Sequence, residues 1–407
     1  MDIINQLQQR GVTFLQPESV YIGPDLRPER IAPEGVVIYP GCRLEGVETL
    51  ILSGVKLGEE GPAHVKNCLL GEDVALKGGY FEGALFLTKA QMGLGAHVRP
   101  GTILEEGARG AHCVALKQTI LFPYVTLGSL INFCDCLMAG GTSPSDHSEV
   151  GSSFIHFNYT PNQDKATPSL IGDVPRGVML DQHPIFLGGQ GGVVGPCRVE
   201  YGTVTAAGAT LRHDILTTDQ IVLDGLHRAV KLKSTPGKYT NIQRLLSNNL
   251  RYIANLAALA QWYRHVRVLF VGKSFPLELL AGLRASLKSQ IEERIHRLGQ
   301  LAHKMELSHR LSPPESQEQR RQKQFHQRWS QIEERLAARM EAAGSAEAAE
   351  RFLHRLTRDG RFSAASYLEA IRGAVPETKT TGQWWLQHIV DTMMDDVQQI
   401  LPAFRIQ

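Results

Sequence analysis

Residues 68–107 read CLLGEDVALKGGYFEGALFLTKAQMGLGAHVRPGTILEEG. Every sixth residue of this run (Cys68, Val74, Tyr80, Phe86, Met92, Val98, Leu104) is apolar. Gly71, Gly83, Gly95, Gly101 and Gly107 each follow one of them by three. The frame extends back through Val20, Leu26, Ala32, Ile38, Leu44 and Leu50, with Gly23, Gly35 and Gly41 in the glycine position. Lys56 and Pro62 interrupt it, in a patch (Glu59-Glu60-Gly61-Pro62) expected to bulge as a small loop. It resumes at Leu187, Val193, Val199, Thr205 and Leu211, with Gly202 and Gly208. A helical period cannot hold a strict six over so many turns, and a sandwich would do so only by coincidence. The hexad is the repeat of a parallel β-helix. In a triangular coil the apolar residue points into the prism and glycine suits the corner. Each coil buries its core only against the next, so the first half is expected to be a solenoid.

Between the two runs, Cys134–Thr167 (CDCLMAGGTSPSDHSEVGSSFIHFNYTPNQDKAT) loses the rhythm and collects polar residues, glycine and proline. Regular backbone on both sides of an irregular excursion suits a binding loop. Past Ile215 the hexads fade; Leu223–Lys233 reads as extended and Ser234-Thr235-Pro236-Gly237 as a linker. From Thr240 the period turns helical, with Ile242, Leu245, Leu246, Ile253, Leu256, Leu259 and Tyr263 near one face. A long helix is expected over Leu277–Leu311. Ser312-Pro313-Pro314-Glu315 stops it, another helix runs to Ala343, and shorter ones are broken at Asp359-Gly360 and around Gly373–Pro376. The expected organisation is a lead-in segment over 1–19, a parallel β-helix over 20–233 with an inserted loop at 134–168, and an α-helical domain over 234–407.

The 43 basic and 41 acidic residues nearly cancel, so no nucleic-acid partner is implied. The basic run Gln319–Arg328 reads as a solvated helix face. There is no apolar run long enough for a bilayer and no leader pattern at Met1, so no membrane association is expected. Six scattered cysteines read as reduced thiols in a cytoplasmic protein. Cys134-Asp135-Cys136 lies near His147 and His156, but its spacing is poor for zinc, so no metal is expected. Gly188–Gly192 lacks a strand-then-helix context and reads as a corner or a loop near a neighbouring chain, not a phosphate loop. Trp384-Trp385 suits core or trimer packing, with a protein partner on the helical tail as the other option.

The run Val98-Arg99-Pro100-Gly101-Thr102, through Leu104-Glu105-Glu106-Gly107-Ala108, to Leu116-Lys117 is similar to a known one. With Arg10–Phe14 and Pro17–Ile22 before it, residues 10–215 resemble the left-handed β-helix acetyltransferase domain of a bacterial family. These are the bifunctional UDP-N-acetylglucosamine pyrophosphorylase/glucosamine-1-phosphate acetyltransferases. Asn158-Tyr159, Lys165, Thr167 and Ile171-Gly172-Asp173 match that family's N-Y-D-G…K..T loop, and Ala206-Ala207-Gly208 with Arg212-His213-Asp214 its ending. The resemblance implies acetyl-CoA as donor, a sugar phosphate or nucleotide sugar as ligand, and a homotrimer with its cleft between β-helices. It implies that Arg99, Lys117 and Lys165 bind the sugar phosphate, that Asn158 and Tyr159 line the cleft, and that the Ala207 backbone meets coenzyme A. The residues agree in part: two cations 18 apart stand one coil apart and can clamp a phosphate.

The departures fall on the chemistry. The family's histidine base corresponds to Ser129, its tyrosine to Asn132, and its asparagine before the loop falls near Glu149. Neither Ser129 nor Asn132 is a base near neutral pH. A short insertion between Asp135 and Asn158 brings His147 and His156, candidates for a relocated base that Asp146 or Glu149 would orient. The nucleotidyltransferase half's L-x-x-G-x-G-T-R motif is not found at the N-terminus, so no residues here are expected to carry uridyl transfer. Two readings stay open. One is acyl transfer from acetyl-CoA with a relocated or lost base. The other is a non-catalytic sugar-nucleotide binder or structural trimeric scaffold presenting a helical interaction domain.

Overall fold

The computed structural model describes residues 3–223, 235–340, 344–358 and 366–406. Short strands stack into three parallel ladders that form the sides of a β-solenoid of about 11 turns. The first sheet runs from Thr13–Phe14 to Ile221–Val222, the second from Tyr21–Ile22 to Thr210–Leu211, and the third from Leu50–Ile51 to Arg198–Val199. One coil shows the path: Gln91–Met92 in the first sheet, Ala96–Val98 in the second, Thr102–Leu104 in the third, then Arg109–Gly110 back in the first.

The hexad residues fill the prism. Ile38, Leu44, Cys68, Val74, Phe86, Met92, Val98 and Leu104 are fully buried, and Leu187, Val193, Val199, Thr205 and Leu211 nearly so. The corners repeat a left-handed residue in columns: Gly95, Cys113, Leu130, Ser153, Gln190 and Gly208 all have φ between +53° and +79° and follow one another along one edge. Glycine fits there without strain, and each other residue at the corner is held by the bond from its N–H to the coil before. The Gly188–Gly192 segment lies on this edge and continues into the strand Gly192–Val194.

Two frame positions differ from expectation. Tyr80 faces outward and Phe81 fills the prism instead, because the coil from Ala75 to its ladder partner Gln91 falls short of three full hexads. Ala32 is half-buried and Ile31 is the inward residue. Lys56 is likewise exposed beside an inward Leu57.

The stretch 134–168 is not a single loop. Cys136–Met138, Glu149–Val150 and Ile155–Phe157 join the third, first and second sheets in turn. The excursions leave from corners: an antiparallel hairpin (Gly141–Ser143 with Asp146–His147) and a loop over 158–168. The hexad test misses this coil because the excursions lie inside it. Thr126 pairs with Glu149, and Glu149 with Phe186, and each of these coils is longer than three hexads.

Nine α-helices are described. α1 (Ile3–Arg10) closes the first end of the solenoid with fully buried Leu7, and α2 (Val174–Gly177) leaves a corner after Ile171. The rest form a bundle: α3 (Ile242–His265), α4 (Leu277–Leu311), α5 (Gln317–Gln327), α6 (Trp329–Met340), α7 (Ala346–Arg358), α8 (Tyr367–Gly373) and α9 (Pro376–Ile400). α3 packs against α4 and α9 and also against the third sheet, which is why it is apolar on more than one face. The expected helix to Ala343 is broken at Arg328 into α5 and α6. Two arginines of the basic run are not merely solvated: Arg321 and Arg328 donate to the carbonyls of Ala403 and Ile400 and tie down the C-terminal residues. Trp385 is core, beside Phe352, while Trp384 is exposed and stacked on His388. The extended reading of 224–233, the boundary at 233/234, Ala343 and the break at Asp359-Gly360 lie outside the described residues. No helix among the described residues is long and apolar enough to cross a membrane.

Candidate functional site

Arg99 follows the strand Ala96–Val98, and Lys117 ends the strand Ala115–Lys117. Val98 pairs with Leu116, and the Arg99 N–H donates to the Leu116 carbonyl at 2.9 Å, so the two cations adjoin at the corner between the second and third sheets. Lys117 pairs in turn with Cys134, and the next residue, Asp135, takes the left-handed corner (φ +63°). The loop that leaves the next coil adds Asn158, Tyr159 and Lys165. These residues line one cavity of about 220 Å³ together with Gln118, Asn132, Cys134, Asp135 and, from α4, Glu293, Arg294 and Arg297.

Asp135 is the hub of the wall. Its carboxylate takes the Arg294 guanidinium at 2.9 Å and the Asn158 side-chain amide at 3.1 Å, and both charged groups are nearly fully buried. The loop is fixed from outside by α3, α4 and the segment that leads into α3. Asn249 on α3 donates to the Ala166 carbonyl (2.9 Å), Lys304 on α4 to the Asn162 carbonyl (2.6 Å), and the Tyr239 hydroxyl to Asp164 (2.8 Å).

Five cations and two carboxylates line the cavity. Glu293 pairs with Arg297 at 2.8 Å and Asp135 with Arg294. Among the described residues no ion pair takes up Arg99, Lys117 or Lys165. Arg99 Nη2 reaches Cys134 Sγ at 3.5 Å, and its Nε is buried with no hydrogen-bond partner among the described residues. Burial pushes the Cys134 thiol up despite Arg99 and Lys117 nearby, so it is a neutral wall rather than a nucleophile. Such a cavity suits an anion.

The two candidate bases lie elsewhere. His156 points into the prism, 2% exposed, with Nε2 2.8 Å from Ser169 Oγ. Burial pushes its pKa down to about 4. A side chain inside the solenoid cannot meet a substrate, so His156 is corrected from candidate base to core residue. His147 sits on the hairpin between the third and first sheets, a different corner from the cavity. Its Nδ1 is 2.8 Å from the Pro144 carbonyl and its Nε2 3.9 Å from Glu149. Neither histidine lines the cavity.

Ser129 lies on the edge between the first and second sheets, and its Oγ is 2.8 Å from His112 Nδ1, one coil earlier. Sequence reasoning missed His112. The signal was there, since it precedes Ser129 in the chain by close to one coil. Ala207 is exposed on the same edge, further along through Ser152 and Gly189. A Cβ placed on its neighbour Gly208 would meet nothing within 4 Å, so this corner is open to a ligand. Among the described residues no group of three His, Cys, Asp or Glu side chains is arranged to hold a metal ion.

No model of a known protein family matches the chain. Individual proteins do. A bifunctional protein GlmU of Carboxydothermus hydrogenoformans is 25% identical over 209 residues, 51% of this chain and 41% of the relative. Its counterpart in Fervidobacterium nodosum is 26% identical over 233 residues (56% and 45%), and that of Trichlorobacter lovleyi 28% identical over 211 (52% and 40%). The chain thus spans less than half the length of these curated relatives. The shared half and the parallel β-solenoid fit the acetyltransferase β-helix half of GlmU.

Proposed function

We propose that the protein binds a small sugar phosphate in the cavity at the corner between the second and third sheets. The observation that carries this reading is the convergence of Arg99, Lys117 and Lys165, none of them taken up by an ion pair among the described residues, on one cavity with Asn158 and Tyr159. The cations would hold the phosphate. Asn158 spends its amide N–H on Asp135, leaving its carbonyl oxygen to accept from a sugar hydroxyl. The cavity, at about 220 Å³, is smaller than the ~300–1,000 Å³ usual for drug-sized ligands, which favours a sugar phosphate over a nucleotide sugar.

Acetyl transfer from acetyl-CoA is the second reading, and the His112–Ser129 contact favours it. The contact stands where the resembling family has its base, on the edge that also carries Ala207. That edge lies across the second sheet from the cavity, so the two would meet only between chains of an assembly such as a homotrimer, in the cytoplasm. The second-sheet side bears exposed Ile155, Phe157 and Tyr159, as an interface would. A donor acetyl group would be supplied by the cofactor; His112 would take the acceptor's proton.

Calorimetric titration with glucosamine 1-phosphate tests the first reading. Saturable binding is expected, weakened about ten-fold or more by Lys117→Ala or Arg99→Ala, as for the loss of a charge-assisted hydrogen bond. Absence of binding by the wild type sinks it. Acetyl transfer that disappears in His112→Ala supports the second reading; binding without turnover leaves a non-catalytic sensor or scaffold.

A further inference from the structure

The solenoid accounts for one side of the cavity. The other side is α4, which packs along the third sheet against the strands Ala84–Phe86 and Thr102–Leu104 and lays Glu293, Arg294 and Arg297 against the cavity. We infer that α4 is part of the ligand site, with Arg294 and Arg297 completing a phosphate clamp within a single chain. This rests on the proposed phosphate reading and names where the rest of the binding charge comes from.

Arg294 is 3% exposed. Its Nη2 goes to Asp135, but its Nε and Nη1 are buried and have no hydrogen-bond partner among the described residues. A guanidinium is a planar fork of five N–H donors, and donors left unmade in a buried place are costly. If Arg294 served only to dock the helix, Asp135 and the more distant Glu293 (3.9 Å), both on Nη2, would be a poor match for that fork. A phosphate monoester beside it, sharing Arg99 and Lys117, supplies the missing acceptors. Arg297 lies one helical turn on, where i and i+3 residues share a face. Its Nε and Nη1 are held by Glu293 (2.8 Å) and Gln300 (3.0 Å), which fixes the guanidinium as it lines the cavity.

The geometry also sets the ligand class. The charges surround a small volume, so the bound part is a phosphate with at most a compact polar group on it. The bulk of a larger molecule has to extend past Tyr159, which is 64% exposed. The site takes its charge from the solenoid and from the helical region of the same chain, so one ligand per chain is expected in any state of assembly.

The test is titration of the full chain with glucosamine 1-phosphate and, separately, with inorganic phosphate. Arg297→Ala should weaken binding about ten-fold while leaving the ligand-free melting temperature unchanged, because Arg297 is partly exposed and pairs only within its own helix. Arg297→Lys should recover part of the loss. Arg294→Lys keeps a charge for Asp135 but loses the fork, and should weaken binding as well. If both α4 variants bind like the wild type while Lys117→Ala does not, α4 is only packing: the inference falls and the sugar-phosphate reading survives. If inorganic phosphate binds in an Arg297-dependent way and glucosamine 1-phosphate does not, the inference stands and the sugar reading falls. No binding of either probe by the wild type overturns both.

Discussion

His156 shows how one residue's environment decides its chemistry. On the sequence it is a histidine in a polar insertion; in the fold it is an inward position of the second sheet, where the other coils place Val98, Leu116 and Val193. Burial holds its pKa at about 4, against an ordinary value of 6.5. Between those values the unfolded chain takes up a proton that the folded chain refuses. Stability therefore falls as pH drops from about 6.5 to about 4, by about 3 kcal/mol at most. His156→Gln is expected to remove that part of the acid sensitivity, measured as urea midpoints at pH 7 and pH 4.5. An unchanged acid slope would show that other groups dominate it. The sequence did not show that this histidine faces into the prism, whereas His112 stands one coil before Ser129 at an open corner. Facing direction depends on register, and the corner excursions had shifted the register.

At the scale of elements, the contact between α4 and the corner at Asp135 carries both packing and charge. Asp135→Ala would leave Arg294 charged and buried with only Glu293 at 3.9 Å to face it, and is expected to cost about 3 kcal/mol. Asp135→Ala with Arg294→Met should regain most of that loss, because the pair is then replaced by apolar groups. Denaturant unfolding of the single and double variants checks this; a double variant no more stable than the single one would mean that the loss came from the corner's left-handed backbone. The helices themselves were legible: Leu277–Leu311 is the observed α4, bounded by Pro276 and Ser312. What they pack against was not, since an amphipathic face announces burial without naming its partner. The stretch from Cys134 to Thr167 was legible in its chemistry but not in its path, because two corner excursions hid a coil.

Across the whole molecule, solenoid and helical bundle are joined by buried polar contacts at both ends of α3. Near its C-terminal end the Tyr263 hydroxyl donates to Glu105 (2.5 Å), and Arg267 pairs with Glu106 while lying between the rings of Phe275 and Tyr367 (4.3 and 3.9 Å). Burial, with Glu106 beside it, pushes the Glu105 carboxyl up to about 7. The sign is opposite to that of His156. Between about 4.5 and 7 the folded chain keeps a proton on Glu105 that the unfolded chain gives up, so stability falls as pH rises through this window. Glu105→Gln, which keeps an acceptor for Tyr263, should flatten that fall, read as melting temperatures at pH 5.5 and pH 8. A wild type equally stable at both values would contradict it.

The sequence by itself determined the solenoid, because a hexad repeat is a local pattern that each coil satisfies against its neighbour, and it picked out Arg99, Lys117, Asn158, Tyr159 and Lys165. The tertiary structure alone decided that these five share a cavity, that His147 and His156 lie outside it, and that α4 forms its far wall. Arg294 and Arg297 lie far beyond Lys165 in the chain, in the other half of the molecule. No spacing rule links positions so far apart; they meet because α3 and α4 pack against each other and also against the third sheet, and that packing carries the arginines to the corner.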